Sequence, residues 1–287
     1  MKKEVVFLVF ILFCNTILAQ HPLRHFLQSK DVLSHHIPYG NNPIAGHYVQ
    51  AKDAKIYYEV YGKGEPILVL HGGIFGSTIE MAKIIDSLSV RFQVIAVSTR
   101  GHGKSEIGTE PMTLEQRARD VRAIIDAVTQ EKVMLLGFSD GGYTAYKFAS
   151  IYPDLVKKVI VIGAGVLNPG LRDFNFNFDE AMALDFDFWE QQKALMPEPK
   201  RLNEVFQQIT NCYNQLTIDE KVLGAIQCPV LVMAGDRDEG NSVKNVLQAA
   251  LLIPNHQLAI IPNAGHPVFI ANFNATWASI APFINEK

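Results

Sequence analysis

Residues 133–149 read VMLLGFSDGGYTAYKFA. Ser139 stands between Gly137 and Gly141, where an apolar, strand-like run hands over to a helix-like segment. A serine hydroxyl becomes a nucleophile only when a base takes its proton. A strand-to-helix turn of the form G-x-S-x-G projects such a hydroxyl, and its glycines let strand and helix pack closely. The turn also aims backbone N–H groups and the positive helix end at the reacting atoms. The competing reading is a Gly-rich helix start that Ser139 merely caps.

One known chain order for such a nucleophile is serine, acid, histidine. Of nine histidines, His256 and His266 follow the apolar run at 229–235. His256 begins the last apolar run, which puts it at the wrong end of a sheet. His266 follows that run, in IPNAGHPVF, and is the expected base. The acid is expected in AGDRDEGNS, where Asp236, Asp238 and Glu239 compete. Asp238, three residues past Gly235, is far enough out to turn back toward His266 and is preferred. Its task would be to hold the imidazole tautomer and stabilise imidazolium. A developing oxyanion needs fixed donors. The N–H of Asp140 is one, and the loop HGGIFGS (71–77) is expected to supply the other, from Gly73 or next from Ile74. Each is typically worth about 3–4 kcal/mol in the transition state.

The elements that must position these groups are legible as patterns. His47–Lys52 and Lys55–Tyr61 read as two strands forming an antiparallel edge. PILVL (66–70), FQVIAV (92–97), KVMLLG (132–137), KKVIVIG (157–163), PVLVMAG (229–235) and HQLAIIP (256–262) are short Val/Ile/Leu-rich runs. Continuous apolar character predicts strands buried on both faces. Helical patterns lie between them at about 78–87, 114–128, 141–152, 242–252 and 272–284. The alternation predicts an α/β domain, a largely parallel sheet with helices on both faces. Residues 167–223 have helical stretches but no buried strand and read as a helical cap inserted between core segments 46–166 and 224–287.

The chain has 287 residues and a net charge of −3, without a basic field that would argue for nucleic acid. The first nineteen residues read as a secretory signal peptide: Lys2 and Lys3, an apolar run from Val5 to Phe13, then small Ala19. That predicts a secreted or periplasmic protein with no membrane attachment once the leader is removed. Phe13 is too bulky for a lipid-attachment box at Cys14. Residues 20–45 form a polar, loop-like N-terminal segment. Cys212 and Cys228 remain after the leader; two separate thiols are preferred over a disulfide, and no zinc pattern is present.

Taken in order, HGG, RGHGKS (100–105), GFSDGG, GDRD and AGH resemble the α/β-hydrolase family over about residues 45–285. The resemblance implies an eight-stranded sheet with an inserted helical cap and no cofactor. It carries the nucleophile to Ser139, the acid to Asp238, the base to His266 and the oxyanion donors to Gly73 and Asp140. Ser98 departs from the family, where many members carry Asp before xRGxGxS. GFSDGG is also similar to the biphenyl hydrolase-like branch, in which the acid after the nucleophile can attract a substrate amine. Asp140 is the candidate for that role, with Phe75, Phe138 and Trp189 as further candidate substrate contacts.

The cap segment 171–190 holds six acids against one base, Arg172. An acidic lid would favour cationic ligands, but a solvated helix face is the preferred reading. Its aromatics, Phe174, Phe176, Phe178, Phe186, Phe188 and Trp189, mostly serve to pack the cap, with an acyl pocket as the alternative.

These features lead to the expectation of an exported serine hydrolase acting on a small-molecule ester. Alternatives on the same triad are a lactonase, an amidase or aminopeptidase, a C–C bond hydrolase and a cofactor-free perhydrolase. A ligand-binding protein on the hydrolase fold is the non-enzymatic alternative. Oligomeric state is open.

Overall fold

A computed structural model describes residues 22–29, 32 and 35–286. The leader expected at 1–19, with Cys14, lies outside the described residues. The strands are β1 (Gly46–Ala51), β2 (Ala54–Tyr61), β3 (Pro66–Leu70), β4 (Gln93–Val97), β5 (Val133–Phe138), β6 (Val156–Ile162), β7 (Val230–Gly235) and β8 (His256–Ile261). Helices α1 (Ala82–Ser89), α2 (Leu114–Val128) and α3 (Asp140–Ile151) follow β3, β4 and β5. Between β6 and β7 lie α4 (Phe178–Leu184), α5 (Phe186–Leu195), α6 (Leu202–Gln215) and α7 (Glu220–Leu223). α8 (Val243–Leu252) follows β7, and α9 (Val268–Ala271) and α10 (Phe273–Asn285) follow β8.

The strands form one sheet in the order β1-β2-β4-β3-β5-β6-β7-β8. β2 is antiparallel to both β1 and β4, and the remaining pairings are parallel. β3, β5 and β7 are buried at every position, as strands covered on both faces must be. Successive side chains point to opposite faces. Leu68, Leu70, Leu135 and Val161 join the core under α2, α3 and α8. Ile67, Val69, Met134 and Leu136 join the core under α1 and α10. α2 shows why these segments become helices. Thr113 caps it by accepting from Gln116 N–H at 3.1 Å, and Leu114, Ala118, Val121 and Ile125 form its buried stripe.

From β3 the chain moves to one side for β4, then to the other for β5. β3 and β5 are therefore neighbours, with Leu70 level with Gly137. Loops leaving two such strands part at their carboxyl ends, which is where ligands bind in open α/β sheets.

The cap is closed at its neck by an antiparallel bridge: Ile218 N–H donates to Leu167 O at 2.6 Å, and Leu167 N–H to Ile218 O at 3.2 Å. The excursion thus spans 168–217. α7, which the sequence pattern assigns to the cap, packs instead on α3 and α8. The RGHGKS loop is anchored by the buried Arg100, paired with Asp120 and Asp53 at 2.9 Å each. Ser98 supports this loop through its carbonyl, which accepts from Ser105 Oγ at 2.6 Å. Cys212 and Cys228 are separate free thiols.

Candidate active site

Ser139 ends β5 and immediately precedes α3, with φ 52° and ψ −111°. A non-glycine residue at positive φ is strained and persists only where its surroundings over-determine it. Here they do. A Cβ on Gly137 would overlap the Gly141 carbonyl oxygen, and one on Gly141 would overlap the carbonyl of Leu70. The Ser139 N–H meanwhile extends the ladder to Ile162 O at 2.7 Å. The Ser139 hydroxyl makes no helix-capping bond. It lies 2.8 Å from His266 Nε2.

His266 sits in the loop after β8, and its Nδ1 is 2.7 Å from Asp238 Oδ2. An ionised carboxylate only accepts, so Nδ1 carries the proton and Nε2 is left to accept from Ser139. Asp238 is buried, and its other oxygen accepts from Asn241 N–H at 2.7 Å. Asp236 is exposed and accepts from Ala264 N–H at 3.0 Å, which steadies the turn carrying His266. Glu239 is exposed. His256 lies at the start of β8, away from this end of the sheet, with Nδ1 2.8 Å from Ile253 O.

The loop after β3 is held on both sides of Gly72, at its carbonyl and at its N–H. Burial lowers the pKa of His71 to about 3, so its ring is neutral. Its Nε2 accepts from Thr99 N–H at 3.0 Å, and its Nδ1–H donates to Gly72 O at 2.7 Å. Gly72 N–H donates to Glu80 Oε1 at 2.6 Å. A trans peptide points N–H opposite to C=O, so pinning Gly72 O also aims the N–H of Gly73. The amides of Gly73, Ile74 and Asp140 have no acceptor among the described residues. Burial drives the Glu80 carboxyl up to about 8, against the pull of its N–H donors.

These groups open onto a cavity of about 550 Å³, within the size range of small-ligand sites. Phe75 and Phe138 stand on its wall, as do Phe174 and Phe176 from the cap. Two expected contacts do not. Trp189 is buried behind Phe75 and Phe206 and donates to Ala181 O at 2.7 Å. The Asp140 side chain is buried in an ion pair with Arg117 and accepts from Tyr213 Oη at 2.7 Å. Its charge is spent inside the protein, which corrects the expectation that it faces a substrate amine.

Five of the six cap acids, Asp173, Asp179, Glu180, Asp187 and Glu190, are exposed, in keeping with a solvated face. The sixth, Asp185, is buried and ties down the N-terminal segment: it pairs with Arg24 Nη1 at 2.7 Å and accepts from Leu27 N–H at 2.7 Å. Phe26 then stacks on Phe75, ring centroids 4.5 Å apart, so this segment walls the cavity. Sequence reasoning missed Phe26, Tyr143, Tyr213 and Asn241 at the site. No local pattern marks them; they arrive from distant parts of the chain. Arg172, also on the wall, was visible only as the lone base of an acidic segment.

A family model described as the alpha/beta hydrolase fold matches residues 65–201. The chain is 28% identical over 207 residues to the serine hydrolase BPHL of Mus musculus, covering 66% of this chain and 69% of that protein. It is 33% identical over 144 residues to a soluble epoxide hydrolase of Corynebacterium sp., covering 49% of this chain and 48% of that protein. Over the first three curated relatives the chain spans 33% to 48% of their length. The crystal structure of a serine hydrolase involved in carbazole degradation, CarC, superposes with a TM-score of 0.69 at 23% identity, covering 83% of this chain and 98% of that one. At that identity the likeness is one of fold. Sheet order, the inserted cap, the strained turn at Ser139 and these matches together show that the chain has the alpha/beta hydrolase fold.

Proposed function

We propose that the protein is an exported serine hydrolase that cleaves small esters through Ser139, His266 and Asp238. One observation carries the reading: a continuous hydrogen-bonded line from Ser139 Oγ through His266 to Asp238, with links of 2.8 and 2.7 Å. His266 Nε2 takes the Ser139 proton as Oγ attacks the ester carbonyl. The new oxyanion rests on the N–H groups of Asp140 and Gly73, with Ile74 next to them as the second choice. His266 then protonates the leaving alcohol. Water, deprotonated by the same imidazole, releases the acid from the acyl-enzyme. Asp238 holds the tautomer throughout and offsets the imidazolium charge. A serine nucleophile, rather than a carboxylate, supports acyl transfer over epoxide opening.

The test is fluorophosphonate labelling together with p-nitrophenyl ester hydrolysis. Wild type should be labelled at Ser139 and turn over the ester. Ser139→Ala should lose the label and about a 10⁶-fold share of kcat while keeping its melting transition. An unlabelled wild-type protein would favour a ligand-binding role on this fold. Export rests on the leader pattern alone, and an N-terminus at Gln20 on protein recovered outside the cytoplasm is the expected result.

A further inference from the structure

Arg172 is the only basic residue among the acids of segment 171–190, and the fold sets it on the wall of the catalytic cavity. Its Nη2 donates to Tyr143 Oη at 3.1 Å and to Asn241 Oδ1 at 3.3 Å. Both acceptors are neutral side chains, and they are bonded to each other at 2.7 Å. The guanidinium lies over the Phe174 ring, 4.8 Å from its centroid. Its orientation is thus set by a hydroxyl, an amide and an aromatic face. No described carboxylate lies within ion-pair distance, and Nε, enclosed by protein, has no described partner; nor has Nη1.

The nearby acids are committed elsewhere. Asp140 is paired with Arg117, Asp238 with His266, and Asp185 with Arg24. Glu80 is kept largely neutral below pH 8 by burial. A fixed guanidinium with unused N–H groups in a mostly apolar cavity is the arrangement that recognises a carboxylate.

The support beneath Arg172 connects it to the reacting groups. Tyr143 is one helical turn after Ser139, its N–H donating to Ser139 O at 3.0 Å. Asn241 donates its own N–H to Asp238. An anion on Arg172 is thereby held in register with both nucleophile and acid.

We propose that Arg172 is the specificity-determining residue of the site and binds a free carboxylate at the non-reacting end of the substrate. The substrate class is an ester that carries a carboxylate, such as a half-ester of a short dicarboxylic acid. This rests on the serine-hydrolase reading above.

The test compares 4-nitrophenyl hydrogen adipate with its methyl ester, after subtraction of background hydrolysis. Wild type should favour the acid at least tenfold in kcat/KM. In Arg172→Gln that ratio should fall at least tenfold, mainly through the KM of the acid, and Arg172→Lys should keep an intermediate ratio. A ratio unchanged in Arg172→Gln, or a wild type that prefers the neutral ester, overturns the proposal while leaving the hydrolase reading intact. A second arm needs no turnover: calorimetry of monomethyl and dimethyl adipate on Ser139→Ala. Tighter binding of the monoacid, lost at least tenfold when Arg172→Gln is added, supports the assignment. Equal binding of the two overturns it. Absence of both ester cleavage and Ser139 labelling in wild type would instead sink the hydrolase reading, and the calorimetric arm would then decide Arg172 alone.

Discussion

Arg117 of α2 and Asp140 of α3 form an ion pair whose side chains are 3% and 0% exposed. The pair ties α2 to the first turn of α3, directly behind Ser139, and Tyr213 of the cap joins it through Asp140. Burial would push a guanidinium down, yet the Asp140 charge beside it holds the pKa of Arg117 above its ordinary value. Asp140→Asn strands a buried positive charge, which typically costs about 3–5 kcal/mol. The melting midpoint should drop by roughly 10 °C. Amine-bearing and neutral esters should lose activity together. A selective loss on amine-bearing esters, measured beside the melting curve, would restore the amine-recognition role.

Asp238→Asn should preserve the fold, because an amide oxygen still accepts from Asn241 N–H. It places a donor against His266 Nδ1–H and forces the wrong tautomer. By analogy with the corresponding change in other triads, kcat should fall by about 10⁴. Steady-state kinetics and a thermal melt on the same preparation separate this from unfolding.

Gly163 has φ +66°, and a Cβ there would lie 2.9 Å from His266 Cε1 and 3.0 Å from its Nδ1. Gly163→Ala adds about 1–2 kcal/mol of backbone strain and displaces the imidazole without removing any reacting atom. Misplacing a catalytic group by about 1 Å costs on the order of 10²-fold. We expect kcat to fall by that order while fluorophosphonate labelling slows and does not vanish. Wild-type kcat in this variant would mean that His266 tolerates displacement.

Glu80 sets a pH dependence of stability. Its folded pKa, about 8, lies above the ordinary 4.5. Between those values the folded state binds more protons than the unfolded state, so stability falls as pH rises through this window. Glu80→Gln keeps an acceptor for Gly72 N–H and removes the charge. The variant should match wild type near pH 4 and exceed it above pH 8, by at least about 1 kcal/mol or roughly 2–4 °C in Tm. Melts at pH 4, 6 and 8.5 check the sign, and a gain that is flat with pH would refute the assignment.

The sheet was legible because β3 to β8 are short, apolar Val/Ile/Leu-rich runs and β1 and β2 flank a turn at Asp53, and every strand falls within two residues of the pattern. Ser139 and His266 were legible for a related reason. A glycine-flanked serine at a strand end, and a histidine just past the last strand, occupy positions that the sheet must bring to one edge. Asp238 was separable from Asp236 and Glu239 because the three differ in distance from the strand end. The cap boundary was not legible at its C-terminal side. α7 continues the helical, strand-free pattern of the segment before it, and only the Leu167–Ile218 bridge shows where the excursion ends.

Local pattern in this chain thus determined which segments become strands and helices and which residue types stand at the strand ends, since period, capping and turn chemistry act over a few residues. The direction of the Asp140 carboxylate, the retreat of Trp189, the arrival of Phe26 and the placement of Arg172 were decided only in three dimensions. Each depends on partners distant in sequence: Arg117, Phe206, Phe75 and Asn241. Burial makes such pairing obligatory for a charge or a polar atom, but which partner is within reach is set by how the sheet orders its strands and where the cap closes.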